Sequence, residues 1–163
     1  MYDCIVVGSG VAGVSAVLTL KANGKDFLLL GSPELSGKVA RAERILNYPG
    51  LSAVTGEEFR AALVRQLKDM EISVMDERVT GVYAMNGSFS LLTESGQAFE
   101  SRTVILTTGV EAVKPVPGET EFVGRGVSYC ATCDGFLYKG KTIAVVCTSA
   151  RFEHEAEYLY KLA

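Results

Sequence analysis

The sequence is poor in the residues on which several classes of protein depend. Its 163 residues include four cysteines, one histidine and no run of lysines or arginines. Four cysteines in a chain of this size are too few for a disulfide scaffold. The net charge of −3, from 16 basic and 19 acidic residues, provides no basic field for nucleic acid or an anionic membrane. We therefore expect small molecules or proteins as partners, with no nucleic acid and no membrane.

No signal or membrane segment is apparent. The uncharged run at residues 4–20 is interrupted by three glycines and two serines, and no basic segment precedes it. Together with the low cysteine count this favours a reducing compartment, and we predict a cytoplasmic protein. Apolar residues make up 48% of the chain, which is enough for one buried core.

The uncharged run instead has the pattern of a strand, a turn and a helix. The β-branched residues of Tyr2–Val7 are typical of a strand buried in a parallel sheet, and a helix is predicted over Val11–Ala22. Between the strand and the helix lies the glycine motif Gly8-Ser9-Gly10-Val11-Ala12-Gly13.

The spacing of the three glycines predicts a dinucleotide site. Gly8 permits the tight turn, Gly10 lets the backbone approach a pyrophosphate, and Gly13 lets the helix pack close to the strand. The diphosphate would lie at the helix N-terminus, where free N–H groups and the macrodipole favour an anion. The alternative is a glycine-rich turn without function, but its position between strand and helix favours dinucleotide binding.

One expected acid is absent after the second strand, which we predict at residues 26–30. The acid that would hold a ribose hydroxyl at the tip of this strand is replaced by Gly31-Ser32, and Glu34 follows in the loop. Either Ser32 or the backbone can take that role.

The sequence pattern in the middle of the chain predicts a loop, a helix and an antiparallel meander. The irregular loop at residues 33–53 is long for a compact domain, and such loops are usually functional. Thr55 and Glu58 have the spacing of a capping box that opens a helix. The apolar face of that helix comprises Phe59, Leu63, Leu67 and Met70. Strands are predicted at residues 72–75, 79–85, 89–93, 97–101 and 103–107; the second to fourth form an antiparallel meander, and the last returns to the parallel sheet.

Two cysteines stand two residues apart in Cys130-Ala131-Thr132-Cys133-Asp134-Gly135. This spacing can close a small disulfide loop, and the following acid can exchange a proton with a released thiolate, which predicts a dithiol redox centre. One alternative is half of a zinc site, for which the chain has only Cys4, Cys147 and His154 as further ligands. For Asp134 the alternative is a turn or cap residue.

A Pro-Gly linker at residues 114–118 predicts a domain boundary, with domains at 1–113 and 114–163. After the linker we predict a buried strand at residues 142–147 and a helix at residues 151–162. Cys4 and Cys147 fall on predicted strands and are expected to be inert core thiols.

These motifs make the chain closely similar to the low-molecular-weight thioredoxin reductase family, and the resemblance covers essentially all 163 residues. Residues 8–13 match the FAD pyrophosphate turn, Asn47-Tyr48-Pro49-Gly50 matches an Asn-aromatic-Pro-Gly loop, and Thr107-Thr108-Gly109 stands where Ala-Thr-Gly is usual. The redox segment at residues 126–135 matches almost letter for letter.

The resemblance implies an α/β fold. A Rossmann-like FAD-binding domain, with a parallel sheet and an antiparallel β-meander, would precede the start of a second nucleotide-binding-type domain. It implies that Cys133 faces the flavin, that Cys130 attacks the disulfide of a thioredoxin-like protein, and that Asp134 exchanges the proton. From the small number of further ligands we expect no metal. FAD is the implied cofactor, with binding residues Gly8, Ser9, Gly10, Val11, Ala12, Gly13, Gly31, Ser32, Lys38, Asn47, Val79, Thr108 and Gly109.

A second glycine motif, present in NADPH-dependent relatives, is absent here. Residues 147–152 contain no glycine. A side chain on Ser149 crowds the path of a pyrophosphate, and Phe152 is too large for a close contact between helix and strand. The acids that follow, Glu153, Glu155 and Glu157, oppose a phosphate at this helix. The pattern favours loss of NADPH.

The sequence is therefore most similar to ferredoxin-dependent flavin thioredoxin reductases, and the loop at residues 31–39 also resembles that branch. This implies ferredoxin as electron donor and a homodimer. Two alternatives stay open: an NADPH-dependent thioredoxin reductase with an aberrant second turn, and a truncated, non-catalytic flavin-binding or interaction module. Because family members are about twice this length, we expect a fragment or a truncated relative.

Overall fold

The computed structural model describes residues 1–109, 116–147 and 149–162, except the side chains of residues 133, 134 and 151. The strands are β1 (Tyr2–Val7), β2 (Phe27–Gly31), β3 (Met75–Asp76), β4 (Val79–Met85), β5 (Ser88–Thr93) and β6 (Ala98–Leu106). The helices are α1 (Val11–Ala22), α2 (Gly37–Ala40), α3 (Gly56–Asp69), α4 (Glu119–Phe122), α5 (Ala131–Asp134) and α6 (Glu153–Leu162), with 3₁₀ turns at Gly135–Tyr138 and Ala150–Phe152. Within these ranges no helix is long and apolar enough to cross a membrane.

Packing divides the chain into two units, and each is described by itself. The first comprises Met1–Gly37 and Arg60–Ala112, and the second comprises Lys38–Phe59 and Val113–Ala163. The first unit contains the whole sheet, and the second contains α4, α5 and α6. The predicted domain boundary between residues 113 and 114 stays a prediction.

The first unit is built on one mixed sheet with the strand order β3-β2-β1-β6-β5-β4. Strands β3, β2, β1 and β6 are parallel, and β5 and β4 extend the sheet in antiparallel fashion. Ile5 and Val6 of β1 are fully buried, because a central parallel strand is covered on both faces. The predicted α/β fold, with a parallel sheet and a meander, is confirmed.

The meander folds back over the parallel strands. Only residues 77 and 78 connect β3 to β4, although these strands occupy opposite ends of the strand order. Three steps along the chain span at most about 11 Å, whereas strands five places apart in a flat sheet are about 24 Å apart. The sheet must therefore curl, and its core cluster accordingly unites Ile5 and Leu30 with Leu91 of β5.

Strand β6 corrects the prediction of two separate strands at residues 97–101 and 103–107. It is one continuous strand, and Ser101 pairs both with Tyr2 of β1 and with Phe89 of β5. The residues of β6 before Ser101 pair with β5, and those after it pair with β1. The change in sequence pattern reflects a change of neighbour along one strand and not a break in the chain.

The strand predicted at residues 72–75 comprises only Met75 and Asp76 in the structure. It begins later than predicted, because the backbone of Ile72 is still hydrogen-bonded to the C-terminal end of α3. The Ile72 N–H donates to the Leu67 carbonyl oxygen at 2.9 Å, and Glu71 has a φ of +53°. Only Met75 and Asp76 then pair with β2.

The start of α3 is a complete capping box, as predicted. The Thr55 N–H donates to Glu58 Oε2 at 2.8 Å, and the Glu58 N–H donates to Thr55 Oγ1 at 3.2 Å. The predicted apolar face is buried at Phe59, Leu63 and Leu67, which anchors the helix.

Replacing Thr55 with alanine should lower the free energy of unfolding by about 1 kcal/mol at neutral pH, because an N-cap is lost.

The hydrogen bonds from the Thr55 N–H and hydroxyl hold the pKa of the Glu58 carboxyl below its ordinary value. The stabilisation that these hydrogen bonds give to the ionised Glu58 carboxylate is present above the unfolded-state pKa, and it is lost as the pH falls through the folded-state pKa. Thermal unfolding should therefore show Glu58→Gln less stable than wild type at about pH 7, and the difference should shrink as the pH falls below the unfolded-state pKa and vanish once the folded-state carboxyl is protonated. A difference that does not change with pH would contradict this.

The strand predicted at residues 142–147 is wrong, since these residues form no strand. Val145 is 45% exposed and Val146 is 73% exposed. A strand needs a neighbour for its backbone hydrogen bonds, and no strand of the described part pairs with this segment. The helix after it does form, as α6, two residues later than predicted.

Candidate functional site

The glycine motif follows β1 and fits closely against the end of β6. Gly8 has a φ of +108°, and a β-carbon there would lie 2.3 Å from the carbonyl oxygen of Thr107. At Gly13, in the first turn of α1, a β-carbon would lie 1.9 Å from the Gly8 carbonyl oxygen. Both distances are far shorter than van der Waals contact, so the fold requires glycine at both positions. This agrees with the packing roles predicted for them.

Gly10 is different, because the fold alone does not require glycine there. Its φ of −72° and ψ of −174° suit any residue, and the nearest atom to an added β-carbon is Ser36 Cβ at 4.0 Å. No described side chain caps α1, and the N–H groups of its first turn have no acceptor within the helix. N–H groups of this kind, without a capping side chain, fit a diphosphate.

Gly31 and Ser32 lie beside the motif at the end of β2. A β-carbon on Gly31 would lie 2.6 Å from Ser9 Oγ. The buried Ser9 hydroxyl donates to the Ser32 carbonyl oxygen at 2.7 Å, and the Glu34 N–H donates to Ser32 Oγ at 3.2 Å. The Ser9 side chain therefore fixes this loop, while the Ser32 hydroxyl can still donate its own proton to a ribose.

The remaining predicted binding residues of the first unit lie near strand ends. Thr108 and Gly109 follow β6, which runs parallel to β1 and ends at the same edge. Val79 opens β4, three residues after Asp76, and Asp76 pairs with Gly31. The structure thus gathers the glycine motif, the end of β2 and the end of β6 at one edge of the sheet. Open α/β sheets bind their ligands at this carboxyl edge.

Two other residues predicted to bind the cofactor, Lys38 and Asn47, belong to the second unit. Lys38 is exposed within α2. Asn47 lies in a loop closed by an Ile45–Val54 bridge, and its Nδ2 donates to the Thr132 carbonyl oxygen at 3.4 Å. The Asn-aromatic-Pro-Gly loop is thereby in contact with the cysteine motif, which the sequence did not predict.

Cys130 directly precedes α5, and its sulfur forms a disulfide. Its N–H donates to Ser128 Oγ at 3.1 Å, and its Sγ lies 3.6 Å from Thr132 Oγ1. A disulfide sulfur does not ligate zinc, so this state fits dithiol chemistry. The side chains of Cys133 and Asp134 lie outside the described residues. Among the side chains that are described, no three or more His, Cys, Asp or Glu residues form a group suited to a metal.

Tyr129, the residue before Cys130, is hydrogen-bonded to an acidic side chain. The Tyr129 hydroxyl donates to the Glu119 carboxylate, and this hydrogen bond is the main reason why the pKa of the phenol lies above its ordinary value. The same carboxylate accepts the Val116 N–H. The segment in front of the cysteine motif is therefore tied to the turn that precedes α4.

The other cysteines differ from each other. Cys4 is a free, buried thiol, as expected. Cys147 is free but exposed, and its thiol donates to the Ser149 carbonyl oxygen at 3.1 Å. The expectation of a core thiol was wrong for Cys147, because the strand that would have buried it does not form.

Sequence reasoning missed two threonines that the structure places in these sites. Thr107 contacts the glycine motif through its hydroxyl, and Thr132 contacts both Cys130 and Asn47. Both lie inside motifs that had been recognised. The only indication in the sequence was that each threonine stands within a recognised motif. The sequence did not show which group its hydroxyl would contact.

Comparison with known proteins gives consistent findings. The model of the pyridine nucleotide-disulphide oxidoreductase family matches residues 2–148. The thioredoxin reductase of Helicobacter pylori is 35% identical over 162 residues, which are 98% of this chain and 52% of the relative. That of Treponema pallidum is 37% identical over 147 residues, which are 89% and 48%. The chain therefore spans about half the length of the curated relatives that it matches.

Two solved structures are similar in different respects. A ferredoxin-flavin thioredoxin reductase from Clostridium acetobutylicum is 42% identical with a TM-score of 0.66, over 99% of this chain and 56% of that chain. A thioredoxin reductase from Streptococcus pyogenes is 31% identical with a TM-score of 0.82, over 99% and 53%. Sequence identity is higher with the first, and backbone similarity is higher with the second.

Proposed function

Because the chain belongs to the pyridine nucleotide-disulphide oxidoreductase family, we propose that it is an FAD-dependent oxidoreductase that reduces the disulfide of a thioredoxin-like protein through Cys130 and Cys133. The observation that carries the proposal is the disulfide-bonded Cys130, in a chain that also has a helix N-terminus at Gly10 without a side-chain cap. A dithiol couple needs an electron source, and a nucleotide-binding fold can hold one.

FAD fits the residues at the carboxyl edge of the sheet. The N–H groups of Val11 and Ala12, at the uncapped N-terminus of α1, would bind the diphosphate. Ser32 would bind the adenosine ribose. The remaining assignments for FAD are Ser9 through its backbone, Gly8, Gly13, Gly31, Lys38, Asn47, Val79, Thr108 and Gly109. When bound, FAD supplies the electron pair that reduces the disulfide to a dithiol.

The reduced pair of cysteines then reduces the substrate disulfide by thiol–disulfide exchange. The Cys130 thiolate attacks one substrate sulfur, which forms a mixed disulfide and releases the other substrate sulfur as a thiolate. The Cys133 thiolate attacks Cys130, so the substrate leaves as a dithiol and the two cysteines re-form their disulfide. Asp134 exchanges the protons. Thr132 Oγ1, at 3.6 Å from Cys130 Sγ, can donate a hydrogen bond to the thiolate.

Ferredoxin is the electron donor in this proposal. The turn before α6 lacks glycine, continues into a 3₁₀ turn at Ala150–Phe152, and places Glu153 and Glu155 in the first turn of α6. Such a turn keeps a pyrophosphate at a distance, and its acids repel a phosphate. The 42% identity to a protein named ferredoxin-flavin thioredoxin reductase supports the same donor.

A second candidate is an NADPH-dependent thioredoxin reductase. The pyridine nucleotide named in the description of the matching family favours it. Both candidates share the FAD and cysteine chemistry and differ only in the donor.

The proposal includes a cytoplasmic homodimer, with a thioredoxin-like protein and ferredoxin as its partners. The low number of cysteines supports a reducing compartment.

The proposal is tested by loading the chain with FAD and reducing it anaerobically by light with EDTA as the sacrificial electron donor. Photoreduction replaces the natural donor, so the result does not depend on which donor is correct. We expect bound FAD that is released on denaturation, and two new thiols in thioredoxin for each electron pair that leaves the reduced protein. A colourless chain that takes up no FAD would instead favour a non-catalytic interaction module.

Replacing Gly10 with alanine should weaken FAD binding about tenfold or more while leaving the melting temperature unchanged. The fold has room for this β-carbon, but the methyl group would occupy the approach of the diphosphate. Gly13→Ala is the comparison variant, and it should destabilise the fold because its β-carbon would overlap the Gly8 carbonyl oxygen. FAD titration and thermal unfolding of both variants measure this. Wild-type affinity in Gly10→Ala would show that the dinucleotide binds elsewhere.

A further inference from the structure

Thr107, the residue after β6, is bonded to the end of β1 and to the glycine motif. Its N–H donates to the Val7 carbonyl oxygen at 2.8 Å. Its hydroxyl oxygen lies 3.0 Å from the Val7 carbonyl oxygen and 2.8 Å from that of Gly8, so it can donate to either. The hydroxyl therefore holds the peptide unit from which the glycine turn begins.

The same hydroxyl also lies where α1 approaches the turn. A β-carbon on Gly13 would lie 2.8 Å from Thr107 Oγ1 and 1.9 Å from the Gly8 carbonyl oxygen. The Thr107 hydroxyl, the Gly8 carbonyl and the α-carbon of Gly13 thus meet at one close contact. Any rotation of the Gly8 carbonyl would disturb the packing of the first turn of α1.

We propose that Thr107 is a positioning residue for the diphosphate of the bound dinucleotide, which makes this inference dependent on the proposed function. The hydroxyl fixes the Gly8 carbonyl, the carbonyl fixes the turn and the start of α1, and the N–H groups there bind the diphosphate. A turn that is already ordered loses less conformational freedom when the ligand binds. Thr107 acts without touching the ligand.

Three variants separate the hydroxyl from the shape of the side chain. Thr107→Val keeps the branched shape without the hydroxyl, Thr107→Ala removes both, and Thr107→Ser keeps the hydroxyl. The same strand offers a matched control, because Thr103 Oγ1 donates to the Asp3 carbonyl oxygen at 2.8 Å. Thr103→Val removes an equivalent bond between β6 and β1, away from the glycine motif.

Titration of each variant with FAD and with ADP tests the proposal, together with thermal unfolding and the ³¹P resonances of the bound diphosphate. We expect Thr107→Val and Thr107→Ala to raise the Kd about tenfold, because the ligand must then also order the turn on binding. Thr107→Ser should stay within about twofold of wild type. Thr103→Val should leave the Kd and the ³¹P resonances unchanged, even where its melting temperature falls as far as that of Thr107→Val.

Three results would overturn the inference while the proposed function stands. They are wild-type affinity in Thr107→Val and Thr107→Ala, a Kd for Thr107→Ser as high as that for Thr107→Val, and an equal rise in Kd for Thr103→Val. If Thr107→Val does not fold, the comparison of Thr107→Ala with Thr107→Ser decides the matter. A wild-type chain that takes up neither FAD nor ADP would overturn the proposed function, and the inference with it.

Discussion

Cys130→Ser should slow the reduction of a thioredoxin disulfide by at least about 1,000-fold while FAD stays bound. The serine hydroxyl is close in size to the thiol but does not ionise near neutral pH, so no mixed disulfide forms. Cys133→Ser should have the same effect, because the mixed disulfide then cannot be resolved. The measurement is anaerobic: photoreduced flavoprotein is mixed with oxidised thioredoxin, and the new thiols are counted.

The chain provides a matched control for this experiment in Cys147, which is a free and exposed cysteine. Cys147→Ser should keep full turnover, because a thiol outside the Cys-x-x-Cys pair has no partner role in the exchange. Full turnover in Cys130→Ser would remove the dithiol from the mechanism. A comparable loss in Cys147→Ser would mean that the assay reports any surface thiol.

Reduced ferredoxin should bleach the flavin at least about 100-fold faster than NADPH or NADH. The physical reason lies in the turn before α6, where no glycine permits a close approach to a pyrophosphate and where Glu153 and Glu155 begin the helix. Anaerobic stopped-flow absorbance, with the three donors side by side at equal concentration, measures the rates directly.

Chemical photoreduction of the same sample is the control for the donor experiment, because it shows that the bound flavin is able to accept electrons. Bleaching by NADPH within one catalytic turnover would reject ferredoxin as the specific donor. It would establish the second candidate, in which the aberrant turn before α6 still accepts a nicotinamide cofactor.

Local features of the fold were predictable because their causes lie within a few residues. The bounds of β1 and α1 agree with the prediction, since the apolar strand, the glycine turn and the helix follow one another directly. The capping box of Thr55 and Glu58 is likewise complete within four residues. Such elements can be predicted from propensity, turn and capping residues without knowledge of the tertiary contacts.

The failures arose where a segment depends on its neighbours. Residues 142–147 have the composition of a buried strand, yet Val146 is 73% exposed because no strand pairs with it among the described residues. Strand β6 was divided in two because its pattern changes at Ser101, where the neighbouring strands change. Composition indicates that a segment is able to form a strand, and only the sheet decides whether it does.

The glycine turn and the Cys-x-x-Cys pair could be identified from the amino-acid sequence, because in each motif the essential residues lie close together in the chain. The contacts of Ser9, Asn47 and Thr107 became known only from the folded chain. Their partners lie 23, 85 and 99 residues away, and which distant residues meet is set by strand order and packing. Local propensity carries no information about those partners.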